Sequence, residues 1–136
     1  MTGGDGPAGS DGPAGTDYDG RVFRSTAAET SLGADTPVGY YHQRADLVWA
    51  EFAGGKVRAG RLTGTCDPDG TIRFVYGQVL TDGRMVAGEC VSTPEILADG
   101  RIRLREQWRR FDAHESRGVS FIEEIPHPYG RGEPPA

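Results

Sequence analysis

The stretch Lys56-Val-Arg-Ala-Gly-Arg-Leu-Thr-Gly-Thr65 leads through Asp69-Gly70 into Thr71-Ile-Arg-Phe-Val-Tyr-Gly-Gln78. The same plan returns as Arg84-Met-Val-Ala-Gly-Glu-Cys-Val-Ser-Thr93, then Asp99-Gly100 and Arg101-Ile-Arg-Leu-Arg-Glu-Gln-Trp108, with two extra loop residues. Ala-Gly, Asp-Gly and Ile-Arg recur at matching places, so two hairpins are built alike. Both copies alternate with period two, the pattern of strands, whose successive side chains point to opposite faces.

The same alternation continues on both sides of the repeat. It predicts strands at Val22–Ala28, Val38–Ala45, Leu47–Phe52, Lys56–Thr65, Thr71–Leu80, Arg84–Ser92, Arg101–Phe111 and Val119–Ile125. Gly54-Gly55 and Asp82-Gly83 suit two-residue hairpin turns, which need positive φ. Asp67-Pro68-Asp69-Gly70 suits a four-residue loop. Pro94 to Gly100 reads as a longer connection, with Ser92 to Glu95 able to start one helical turn. Helix signals are otherwise scarce. Eight short strands joined mostly by tight turns predict an all-β chain, an eight-stranded antiparallel up-and-down β-barrel whose closure removes exposed edges. An open sandwich is the alternative.

The chain has 136 residues, 36% hydrophobic and 26% charged, with two Cys and a net charge of −5. That length suits one domain. Its apolar runs are far shorter than the roughly 20 residues of a spanning helix, which argues against a membrane partner. The acidic balance argues against nucleic acid. No charged-then-apolar leader opens the sequence, so a cytoplasmic location is expected. Residues 1–20 hold seven Gly, four Asp and the duplicated Asp-Gly-Pro-Ala-Gly, and they predict a disordered tail. The barrel is expected over 21–125, followed by a loose tail over 126–136. Cys66 and Cys90 are expected to be free thiols. The three His lack metal-ligand spacing, so no metal and no cofactor is expected.

The run Val38-Gly-Tyr-Tyr-His-Gln-Arg-Ala-Asp-Leu-Val-Trp-Ala-Glu-Phe-Ala-Gly-Gly55 resembles a family of small bacterial proteins. So do Gly60-Arg-Leu-Thr-Gly64, Gly88-Glu-Cys-Val-Ser-Thr-Pro-Glu95 and Gly100-Arg-Ile-Arg-Leu-Arg-Glu-Gln-Trp108. Members are often labelled N-acetylglutamate synthase and are similar to avidin-like, calycin-like β-barrels. The resemblance covers roughly residues 21–125 and implies a barrel with a ligand-sized interior. It carries over no catalytic residue, and nothing in the chain resembles the pyrophosphate loop of an acetyl-CoA-dependent acyltransferase.

Register follows from turn length. A two-residue turn at Asp82-Gly83 pairs Tyr76 with Glu89 and Gln78 with Ala87. A four-residue loop at 67–70 pairs Arg61 with Tyr76. In 101–111, Ile102, Leu104, Glu106 and Trp108 alternate with arginines. The arginine side must face water, so the other side faces in. The repeat then turns Phe74, Tyr76 and Gln78 inward as well. Gly60, Gly77 and Gly88 fall in one outward row, with Trp49 opposite Gly60 and Glu51 opposite Arg58. If Trp108 pairs with Phe121, Glu123 joins the inner face.

This register places Arg61, Tyr76, Glu89 and Glu106 at one level of the interior. Two neighbouring carboxylates repel, so one keeps its proton near neutrality, a setting for acid/base chemistry. Glu89 and Glu106 are the candidate acid/base pair, with Tyr76 and Arg61 as hydrogen-bond donors to an oxygen anion. Phe74, Gln78, Trp108, Phe121, Glu123 and Tyr41 are the candidate ligand-binding residues. The expected function is a calyx for a small organic molecule, with isomerisation, cyclisation or dehydration as the reaction classes. The alternatives are a non-catalytic binding protein and a structural barrel filled by its own polar network. Self-association into a homo-oligomer is a further expectation.

Overall fold

The computed structural model describes residues 15–26 and 36–126. Eight strands occur in chain order: β1 (Val22–Ser25), β2 (Val38–Arg44), β3 (Leu47–Gly54), β4 (Val57–Cys66), β5 (Ile72–Leu80), β6 (Met85–Ile96), β7 (Ile102–Arg110) and β8 (Arg117–Ile125). Each pairs antiparallel with its sequence neighbours, and β1 pairs with β8 to close the barrel. The predicted all-β, eight-stranded antiparallel up-and-down barrel is the observed fold.

Three hairpin loops share one design. Pro68-Asp69-Gly70, Thr81-Asp82-Gly83 and Ala98-Asp99-Gly100 each span three residues, closed by backbone pairing of Asp67 with Thr71, Leu80 with Arg84 and Leu97 with Arg101. The closing glycine has φ +89° in all three. The aspartate carboxylate accepts the backbone N–H two residues on, at 3.0, 3.0 and 3.1 Å for Thr71, Arg84 and Arg101. This bonding is the main cause that holds Asp69 and Asp82 below the ordinary carboxyl pKa, and at Asp99 the Arg101 side chain lowers it first, with the backbone bond second. A two-residue turn of the Asn-Gly type would force positive φ on the aspartate too. The three-residue loop asks it of glycine alone and leaves the aspartate free to bond forward.

The expected two- and four-residue loops are thereby corrected to three residues each, and both registers slip by one. Tyr76 pairs with Leu62 on β4 and with Gly88 on β6, instead of Arg61 and Glu89. A slip of one residue exchanges the faces of a strand. Leu62 and Cys90 therefore face in, and Arg61 and Glu89 face out. Glu51 pairs with Arg61 and Trp49 with Thr63. In β8, Trp108 pairs with Gly118 instead of Phe121. Asp112 accepts the backbone N–H and the hydroxyl of Ser116, which ends the loop early enough for β8 to begin at Arg117. Phe121 and Glu123 then lie on the outer face. The residues from Ser92 to Glu95 continue β6 and form no helical turn. Pro94 sits beyond the last β5 partner of β6, Ser92, where a missing N–H breaks no ladder on that side.

One end of the barrel is packed solid. Tyr18, Val48, Ile72, Ile102 and Leu104 are almost wholly buried there. Tyr18, Phe23 and Tyr41 form an aromatic trio with centroids 5.0 to 6.4 Å apart. The Tyr18 hydroxyl donates to Gly70 O at 2.6 Å, and its backbone N–H donates to Gln43 Oε1. The disordered tail expected over 1–20 is corrected on this point, because Tyr18 is part of the core; residues 1–14 lie outside the described residues. Of the tail expected over 126–136, only Pro126 is described, and the end of the first expected strand, Ala27 and Ala28, also lies outside.

Candidate functional site

Among the described residues, the opposite end is open. There Ser25, Pro37, Val57, Gln78 and Arg110 rim a cavity of about 310 Å³. Its walls include Tyr41, Phe52, Leu62, Phe74, Tyr76, Trp108 and Ile122. Four of these rings can lie flat because each faces a glycine across the ladder. Phe52 pairs with Gly60, Phe74 with Gly64, Tyr76 with Gly88 and Trp108 with Gly118. A Cβ at Gly60 would strike the Phe52 ring, and one at Gly118 would lie 2.6 Å from the Trp108 ring. The predicted outward row of glycines is overturned at Gly60 and Gly88, which are buried under rings; Gly77 does face out, into open space.

Glu106 lies within this cavity, a turnless strand position whose alternation fixes it inward. Its neighbours in the ladder are Ser92 on β6 and Ser120 on β8. The Ser92 hydroxyl donates to Glu106 Oε2 at 3.2 Å, and Ser120 also hydrogen-bonds the carboxyl. Such bonds favour the carboxylate, but removal from water outweighs them and pushes the pKa from 4.5 up to about 7. The accessible surface Glu106 retains belongs to the cavity, not to the outside of the barrel. Burial also raises the pKa of Tyr41 and Tyr76, and of the Cys90 thiol, so all three are neutral near pH 7.

Arg110 stands at the mouth. Its guanidinium carbon lies 5.5 Å from the Trp108 ring centroid and it hydrogen-bonds the Tyr76 hydroxyl. Its Nε is buried without a hydrogen-bond partner. Sequence reasoning missed Arg110, Ser92, Ser120, Leu62 and Cys90. Extending the inward set 102, 104, 106, 108 by one step would have found Arg110. The correct loop lengths would have found the others.

Of the ten residues singled out from sequence, Glu106, Tyr76, Phe74, Gln78, Trp108 and Tyr41 line the cavity. The other four do not. Glu89 is half-exposed and ion-paired to Arg109 at 2.9 Å. Arg61 is exposed and donates to its neighbour's carbonyl, Gly60 O. Phe121 lies under the Arg103 guanidinium at 4.7 Å, and Glu123 sits 3.6 Å from Arg101. Among the described residues that line the cavity, Glu106 is the one carboxyl, so the expected acid pair is not there. Among the described residues no group of three or more His, Cys, Asp or Glu could hold a metal ion. Cys66 and Cys90 are free, and burial pushes the Cys66 thiol to about 11.

A closed antiparallel barrel, solid at one end and open at the other over an aromatic lumen, defines a calyx-type protein. The sequence profile of the avidin-like proteins matches residues 16–125, and the chain belongs to that family. The match begins before Tyr18, consistent with that residue's place in the core. No match was found among curated proteins or among solved structures.

Proposed function

We propose that this protein binds a small organic ligand inside the barrel. The observation that carries the reading is an aromatic-walled cavity with, among the described residues, a single carboxyl, Glu106, held between two serine hydroxyls. Ligand pockets have this character, mostly apolar walls with a few converging polar groups, and about 310 Å³ lies at the small end of their range. The apolar body of the ligand rests against Leu62, Phe74 and Trp108, and its polar head meets Glu106.

Native mass spectrometry of the purified chain tests this, with expected mass above that of the polypeptide removed by gentle activation. Leu62→Trp projects a much larger ring into the cavity and should weaken or abolish that adduct while leaving the far-ultraviolet circular dichroism spectrum unchanged. An adduct unaffected by Leu62→Trp would put the ligand elsewhere.

A second reading, acid/base catalysis of isomerisation, cyclisation or dehydration, rests on the Glu106 pKa near 7, where a carboxyl both takes and gives a proton. It now involves one carboxyl, since Glu89 is outside. Under this reading Glu106→Gln ends turnover and spares binding; equal loss of both favours plain recognition. We also propose a cytoplasmic location, supported by two thiols left unbridged. Self-association is proposed through the outer face around Val75 and Val119, both about half exposed.

A further inference from the structure

We propose that the ligand is bipolar, with an ammonium group at Glu106, an aromatic or apolar body along Trp108 and Phe74, and a carboxylate or similar anion at Arg110. The inference deepens the binding function proposed above and rests on it.

Among the described residues lining the cavity, the titratable or charged groups are Tyr41, Tyr76, Cys90, Glu106 and Arg110. The first three are neutral, so the lumen holds one potential anion and one cation. These two are not paired with each other. Arg110 and Glu106 are four residues apart on one strand, a separation of about 13 Å along the backbone. Trp108 lies between them on the same face. The separation suits one molecule of several bonds' length touching both.

Arg110 is the β7 arginine that lines the cavity. Arg103 and Arg109 of the same strand each ion-pair with a carboxylate on the outer face. Arg110 has no ion-pair partner among the described residues, and its buried Nε lacks an acceptor. A guanidinium held in that state presents a planar fork suited to a carboxylate. At the deep end, Ser92 and Ser120 preorganise the Glu106 carboxyl as an acceptor. An ammonium placed there supplies the counter-charge that burial has removed, and it displaces the carboxyl's proton.

Isothermal titration of the full chain with four matched probes tests the proposal. 3-(4-aminomethylphenyl)propanoate carries both charges, 4-ethylbenzylamine the cation only, 3-phenylpropanoate the anion only, and 4-ethylbenzyl alcohol neither. The doubly charged probe should bind about tenfold or more tighter than either singly charged one. Glu106→Gln should erase the advantage given by the amine and keep that given by the carboxylate; Arg110→Gln should do the reverse. Below the Glu106 pKa of about 7, amine probes should release a proton on binding, read as a heat that varies with the buffer's ionisation enthalpy. If any of the other three probes binds as tightly as the doubly charged one, bipolar recognition is overturned while small-ligand binding stands. If none of the four binds, the inference fails, and an absent adduct in the native mass spectrum then removes the binding function as well.

Discussion

Glu106 shows how a single residue couples site and stability. Its folded-state pKa, about 7, lies above its ordinary 4.5. Below 4.5 the group is protonated in both folded and unfolded chains and costs nothing. Between 4.5 and about 7 the unfolded chain ionises while the folded one holds its proton, so stability falls as pH rises. Above 7 both are ionised and the penalty stays constant. Relative to the native chain, Glu106→Gln should therefore gain roughly 2–3 kcal/mol between about pH 4 and about pH 8. Urea denaturation of both chains at the two pH values measures the difference. Parallel profiles would mean that the carboxyl is solvated.

At the scale of the element, the cross-strand pairing of a ring with a glycine shapes the lumen. Gly88 and Gly77 lie on neighbouring strands and read alike in sequence, yet they meet opposite surroundings. A Cβ at Gly88 would strike the Arg109 carbonyl and lie 2.7 Å from the Tyr76 hydroxyl. A Cβ at Gly77 meets nothing within 4 Å. Because the Arg109 carbonyl is backbone and cannot swing away, Gly88→Ala should cost about 2–3 kcal/mol. Gly77→Val should change stability by less than about 0.5 kcal/mol, or raise it, since a β-branched residue suits an open strand face. Equal losses in thermal melts of the two variants would contradict the assignment of their faces.

For the molecule as a whole, the asymmetry between its two ends is the functional feature. Tyr18 seals one end from outside the strand order, and the short segment before β1 is tied down by Arg21, whose guanidinium bonds both oxygens of Glu124 at 2.9 and 3.0 Å. Tyr18→Ala opens a ring-sized void under the aromatic trio and should cost about 3–5 kcal/mol. Tyr18→Phe removes only the bond to Gly70 O and should cost about 1 kcal/mol. Urea titrations of the two variants separate these contributions. A Tyr18→Ala chain as stable as the native one would show that the barrel closes without it.

Strand number, all-β class and the inner faces of β5 and β7 were legible in the sequence by itself. In β7 one face carries Ile102, Leu104 and Trp108 while the other carries arginines, and the repeat gives Ile72, Phe74 and Tyr76 of β5 the same orientation. Burying the arginine row is too costly to leave a choice, and that put Glu106 inside without any knowledge of its partners. The faces of β4, β6 and β8 were decided only by tertiary structure. There Arg61 adjoins Leu62, Glu89 adjoins Cys90, and Phe121 adjoins Ile122, so local hydrophobicity barely separates the two orientations. The choice passes to the length of each loop, and one residue of loop length turns a whole strand over. The meeting of Ser92, Glu106 and Ser120 and the ring–glycine pairs depend on the exact register of neighbouring strands, and the seal made by Tyr18 joins distant parts of the chain, so each was decided only when the strands were aligned and packed.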